Sequence, residues 1–263
     1  MILISLQSGS NGNCLFVKSG QTKLLFDGGI NSSVVRSRLN PFDFSAEGAA
    51  GIFITHDHYD HIGHVGNLSR AFSLPIYVTR NTLYSAKKKC RLGRLPKVNF
   101  FKMGQTVEVG ELKVETIRTP HDGVESAAFI VEGDDLRLGI FTDIGHSFPD
   151  LVDHLSTLDA LFIESNYDPQ MLEHGPYPPY LKRRIKGAGG HISNVEAATA
   201  IAKAYEQGKK RLQWVCLGHI SEANNDPELA KLTHRRFISE EIGIYTAGRH
   251  SASELMKIVS REV

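Results

Sequence analysis

Cysteine is scarce in this chain, with only Cys14, Cys90 and Cys216 in 263 residues. An odd count, wide separation and no CxxC spacing exclude a disulfide framework and a thiolate zinc site, and suit free thiols in a reducing compartment. Long apolar runs are missing too. No stretch approaches the roughly 18–20 apolar residues that span a bilayer, and the opening MILISLQSG is too short, and lacks the basic residues, for a signal peptide. A cytoplasmic protein without a membrane partner is the expectation. Charge of one sign is also absent: Lys+Arg 30 against Asp+Glu 29 leaves a net charge of +1. Any nucleic acid must therefore be met by a local patch rather than by the whole surface. Finally, no Pro/Ser linker, low-complexity tract or repeat of 20–50 residues interrupts the chain. One domain over 1–263 is expected, and a homo-oligomer stays open.

What is present is a meander followed by an alternation. Apolar or alternating runs near 1–6, 13–18 and 22–27, parted by SGSNGN and by Asp27-Gly28-Gly29, predict strands. A helix near 31–39 precedes a buried strand at 51–54. Helices at 61–72 and 80–89 flank a short strand at 75–78. Strand signals dominate from 98 to 141. The second half predicts helix 148–156, strand 159–163, helices around 168–186, helix 193–207, strand 213–217 and helix 226–240. This rhythm implies two β-sheets packed face to face, each covered by helices.

Histidine is the unusual component, with twelve residues. His56-Asp57-His58-Tyr59-Asp60-His61 directly follows the strand GIFIT. In an extended loop His56 and His58 point to one side, while Asp60 and His61, opening the next helix, offer a second pair of N/O ligands. Without a metal, so many close imidazoles and carboxylates would have to be hydrated or mutually neutralised. Further candidates stand just beyond apolar strands: His121 in RTPHDG, Asp143 in FTDIGH and His219 in CLGHIS. That placement gathers them at one edge of the sheets. His64 and His146 neighbour these ligands and read as supporting or exposed, and His154, His174, His234 and His250 as surface histidines.

HxHxDH, a later His, a later Asp and a final His resemble the metallo-β-lactamase superfamily along nearly the whole chain. The resemblance implies an α/β fold, an αββα sandwich of two mixed sheets flanked by helices. It also implies a binuclear hydrolase in which His56, His58 and His121 hold one metal, Asp60, His61 and His219 the other, and Asp143 bridges them. Two divalent ions at such a site would share a hydroxide made nucleophilic near neutral pH. Zinc suits the imidazoles, and manganese also accepts this N/O mixture. Asp27 in LLFDGG matches the superfamily's early Asp that braces the histidine loop, although a hairpin-turn residue would look the same.

The fold does not decide the substrate. Glu164 ending LDALFIE, His191 in GGHISNVEAATAIAKA and His219 in LGHIS follow the order of the nuclease branch that includes ribonuclease Z. Carried over, Glu164 orients and charges His191, which gives a proton to the leaving 3′ oxygen, and Asp60 helps orient the attacking water. Either residue could instead be plain helix or strand structure. SGSNGNC, THDHYDH, IESNYD, GPYPPYLKRRIKGAGGHISN and LGHISEANNDPELA resemble, more specifically, the bacterial group called YycJ or WalJ. That group implies 5′-to-3′ degradation of double-stranded DNA, in repair. No inserted second domain or long exosite arm is evident, so the activities tied to those parts are not implied.

Lys182, Arg183, Arg184 and Lys186 lie just before His191, and Lys87, Lys88, Lys89, Arg91, Arg94 and Lys97 form a second basic stretch. Both could contact phosphates with a salt-dependent affinity, or be solvated helix faces. SGSNGN could offer backbone N–H groups to a phosphate or be a plain turn, and Tyr59 could stack on a base or pack over its loop. RNA remains an alternative substrate. So does a thioester or lactone cleaved by the same metals, and a scaffold that has kept the fold without catalysis is the third reading.

Overall fold

The computed structural model describes residues 1–208 and 210–260. Its strands form two seven-stranded mixed sheets flanked by helices. Chain contacts divide the protein into two compact units. The first comprises Met1–Arg118, Gly123–Leu136 and the segment from Gly248 onward, and the second Thr119–Asp122 and Arg137–Ala247.

In the first unit, β1 (Ile2–Gln7), β2 (Cys14–Ser19) and β3 (Thr22–Phe26) form the expected antiparallel meander. From β3 the sheet continues in parallel through β4 (Gly51–Phe53), β5 (Ile76–Val78) and β6 (Val98–Phe100). Its alternation is visible residue by residue, as the two-residue period of a strand requires. Leu25 and Ile52 join the cluster under helices α1 (Ser32–Leu39), α3 (Val65–Phe72) and α4 (Arg80–Lys89). Their neighbours Phe26 and Phe53 face the other way and stack at 5.6 Å. There they meet Phe129 of β9 (Ala127–Gly133), 5.4 Å from Phe26 and 5.6 Å from Phe53. Strands β7 (Thr106–Val109) and β8 (Leu112–Arg118) pair antiparallel with each other, and β8 with β9.

In the second unit, β10 (Leu136–Phe141), β11 (Ala160–Glu164), β12 (Trp214–Gly218) and β13 (Gly243–Thr246) run parallel in that order. All of β11 and β12 is buried, as strands covered on both faces must be. The helix between them, α8 (Asn194–Gln207), opens on a side-chain cap: the Ser193 hydroxyl accepts the N–H of Glu196 three residues on. Because β10, β11 and β12 are parallel neighbours, the residues following them emerge at one end, where α/β sheets place ligands.

Four segments depart from the sequence expectation. The helix expected at 61–72 is broken into α2 (Tyr59–Ile62) and α3, since the turn at Gly63-His64 lets Gly28 bond both His61 O and His64 N. The helix expected at 226–240 ends early, as α9 (Pro227–Arg235). Strands β13 and β14 (Met256–Lys257) carried no strong signal of their own. His234 corrects an expectation too. It is fully buried, not on the surface, and its Nδ1–H donates to Ala230 O at 2.9 Å. Burial there pushes the imidazole pKa down to about 4 from 6.5. The folded state therefore keeps His234 neutral while the unfolded chain takes up a proton below pH 6.5. The unfolded state binds more protons in that window, so stability falls as pH falls toward 4. The expected loss between pH 7 and pH 5 is about 2 kcal/mol from this group. Urea unfolding at the two pH values measures it, and the difference should shrink by most of that amount in His234→Gln.

Candidate metal centre

In the first unit the histidine loop leaves β4 through Ile54 and Thr55 and turns into α2. Two carboxylates fix its course. Asp27, in the left-handed region at φ 61, accepts the backbone N–H of Thr55 at 2.8 Å and the Thr55 hydroxyl at 2.9 Å. Its other oxygen lies 2.7 Å from His61 Nδ1. Burial raises the Asp27 pKa, opposed by the His61 charge and these hydrogen bonds. Asp57 turns away from His56 and His58: it takes the Ser85 hydroxyl at 2.6 Å, the Val124 N–H at 3.1 Å and the Lys89 ammonium. Although burial opposes ionisation, those donors hold Asp57 at about 2. One cation of the second basic stretch is thereby committed to bracing the loop.

The rings of His56 and His58 lie 4.6 Å apart, and those of His56 and His61 4.1 Å apart. Asn13, from SGSNGNC, is a positioning residue that sequence reasoning missed. Its backbone N–H bonds Asp60 O at 2.7 Å, and its amide reaches His61 Nε2 at 2.9 Å and Asp60 Oδ2 at 3.3 Å. In the same motif the Gly9 N–H is taken by the Asn13 side chain. Gly29 permits this approach: a Cβ there would stand 1.8 Å from Asp60 O. The motif's signal was its density of small and amide residues, which reads equally as a turn. Tyr59 is exposed and edge-on to His64, with ring centroids 5.9 Å apart.

In the second unit Asp143 follows β10, Glu164 ends β11 and His219 follows β12. Asp143 and His219 both sit at φ 50, a region that Asp and His enter more readily than most residues but at a cost of roughly 1–3 kcal/mol each. Asp143 Oδ1 lies 3.1 Å from His219 Nδ1 and 3.9 Å from His121 Nε2. Buried Glu164 places Oε1 2.6 Å from His191 Nδ1 and 2.9 Å from His219 Nδ1, and its Oε2 accepts the Ile144 N–H at 2.9 Å. Burial works against its charge, but His191 and the hydrogen bonds outweigh it and hold Glu164 below the usual carboxylate value. His121 Nδ1 bonds Gly190 O at 2.9 Å. Gly145 lets the three loops meet, since a Cβ there would lie 2.2 Å from Ala188 O and 2.3 Å from Pro120 O.

The donor chemistry fits divalent cations. Metal-binding imidazoles characteristically give their second nitrogen to a protein acceptor, which fixes the tautomer. Here Nδ1 is so engaged in His61 by Asp27, in His219 by Glu164, in His121 by Gly190 O and in His56 by the Thr55 hydroxyl at 2.9 Å. Nε2 would then be the ligand nitrogen in His56, His121 and His219, whereas in His61 it also meets the Asn13 amide at 2.9 Å, a contact that a cation would have to displace. Within the second unit, atoms of Asp143, Glu164, His191 and His219 lie close enough to grip one ion.

The KRRIK segment forms α7 (Pro179–Lys186). Three of its cations have local partners: Lys182 on Glu173 O at 2.6 Å, Lys186 on the Glu173 carboxylate, and Arg184 on Asp122 Oδ2 at 2.7 Å. Arg184 thus tethers the residue beside His121. Such exposed pairs are worth about 0–1 kcal/mol and exchange readily.

Residues 22–213 match the family model described as a beta-lactamase superfamily domain. The chain belongs to that superfamily. It is a metal-dependent hydrolase, and within the superfamily it belongs with the YycJ/WalJ proteins. It is 31% identical to the exodeoxyribonuclease YycJ of Bacillus anthracis over 90% of this chain and 88% of that protein. With the exodeoxyribonuclease WalJ of Streptococcus pneumoniae it shares 32% identity over 87% of this chain and 84% of the relative. Among solved structures, the metallo-β-lactamase fold protein YhfI of Bacillus subtilis superposes with a TM-score of 0.72 at 18% identity, covering 98% of this chain and all of that one. Among the described residues, no helix is long and apolar enough to cross a membrane.

Proposed function

We propose that this chain is a two-metal phosphodiesterase, a 5′-to-3′ exonuclease of double-stranded DNA acting as one catalytic domain. The observation that carries the reading is the Glu164–His191 contact of 2.6 Å, which joins a buried carboxylate to a partly exposed imidazole. A thioester expels a thiolate, a much weaker base than the 3′ oxygen of DNA, and calls less for such a pair. The names of the 31–32% identical relatives support nuclease action on DNA.

By the superfamily pattern His56, His58 and His121 would hold one cation, Asp60, His61 and His219 the second, and Asp143 would bridge them. Zinc or manganese suits this set. When bound, the ions supply charge stabilisation and lower the pKa of an attacking water. The chain's own residues do the rest. Asp60 orients that water. As water oxygen bonds to phosphorus and the P–O3′ bond breaks, His191, held at Nδ1 by Glu164, gives a proton to the departing 3′ oxygen. Lys182, Arg183, Arg184 and Lys186 offer phosphate contacts once local partners are exchanged.

Labelled duplexes test this. With zinc or manganese, 5′-label should be released before 3′-label, and from DNA faster than from RNA. Preferential attack on an RNA 3′ end would sink the DNA reading in favour of an RNA-processing one. The brace predicts a further effect: Asp27→Asn should weaken metal binding about 10–100-fold, the usual cost of losing such a partner. Competition with a zinc-sensitive dye measures it.

A further inference from the structure

Away from the histidine loop, the first unit carries a cavity of about 530 Å³ at the N-terminal end of α4, lined in part by Arg80, Phe100, Lys102, Arg118 and Glu125. Three cations therefore face one cavity. Among the described residues, no carboxylate lies within ion-pair distance of Arg80, Lys102 or Arg118. The lining carboxylate, Glu125, takes a hydrogen bond from Asn81 at 3.0 Å instead. Three cations against the single lining carboxylate leave the cavity with an excess of positive charge, an arrangement that an anion relieves.

The second component is aromatic. Phe100 is 42% exposed, an unusual state for phenylalanine, and the Arg80 guanidinium lies 4.3 Å from its ring centre. One turn along α4, Tyr84 is 65% exposed with the Lys88 ammonium 4.1 Å from its ring. Positions 80, 84 and 88 share a helix face. Two exposed rings, each beside a cation, thus lie along one line that leads from the cavity over α4. A basic groove interleaved with exposed rings is the chemistry by which proteins hold single strands without reading sequence. One residue links the cavity wall to the histidine loop: Glu125 follows Val124, whose N–H is bound by Asp57.

The geometry points to a seat for single-stranded DNA. Bases stack on Phe100 and Tyr84, while Arg80, Lys102 and Arg118 hold the phosphates between them. This rests on the exonuclease reading and deepens it, since removing one strand of a duplex leaves the other unpaired.

Binding of a fluorescein-labelled twelve-residue oligothymidylate, followed by anisotropy in the presence of a chelator, separates the seat from cleavage. The double variant Phe100→Ala/Tyr84→Ala should bind at least tenfold more weakly, the scale of losing one or two stacked bases. Arg80→Ala/Lys102→Ala/Arg118→Ala should flatten the plot of log affinity against log salt by about 2, at about 0.7 per lost phosphate contact on a single strand. Lys113→Ala, an exposed cation on β8, should change neither. Thermal unfolding checks that every variant is folded. Wild-type affinity and slope in both multiple variants, or no binding by the wild type, overturns the seat. Loss of duplex cleavage polarity would strike the exonuclease reading and leave this binding result standing.

Discussion

Asp143→Ala is expected to lower DNA hydrolysis by about 10³-fold or more and to deplete the protein of metal. The side chain is buried at 2% exposure, follows a parallel strand, and lies against His219 at 3.1 Å and His121 at 3.9 Å. If it bridges the cations, its removal costs several kcal/mol of transition-state stabilisation, and each 1.36 kcal/mol is tenfold in rate. Its φ of 50 sets a second expectation. Alanine is strained there, so stability should fall as well. Asp143→Asn, which tolerates that backbone, should recover the unfolding midpoint but not the rate. Metal analysis and steady-state rates on both variants settle the matter. A fully active alanine variant would remove the two-metal reading.

His191→Ala is expected to cost about 10²–10⁴-fold in rate, the range for a general acid, while leaving the metal content intact. The loss should depend on the leaving group. A p-nitrophenyl ester of a nucleotide departs without needing a proton, so its hydrolysis should fall far less than that of DNA. Glu164→Gln keeps shape but removes the charge that holds His191 at 2.6 Å. It should reproduce much of the defect. Equal losses on both substrates, together with loss of metal, would instead make His191 a ligand.

Much of the candidate site was legible because its chemistry is local in the chain. HDHYDH places several donors within six residues after a strand, and Glu164 ends a run that could only be a buried strand. His121, Asp143 and His219 each follow an apolar strand, and the parallel strands β10 and β12 deliver Asp143 and His219 to one end. The KRRIK helix was visible as a helix, but its charges were not visible as occupied: Arg184 meets Asp122 62 positions earlier in the chain. His234 looked like any polar helix residue, and only the packing of α9 made it a neutral, buried one.

The sequence by itself determined the strand alternation, the residue types offered to the candidate metal centre and their place near strand ends, because each depends on spacing within a few residues. The tertiary structure alone decided what holds those residues still: Asn13 against Asp60 and His61, Asp27 beneath Thr55, Asp57 on Lys89 and Val124. These braces join residues far apart in the chain. Hydrogen bonds care about position in space, and a one-dimensional pattern carries no record of it.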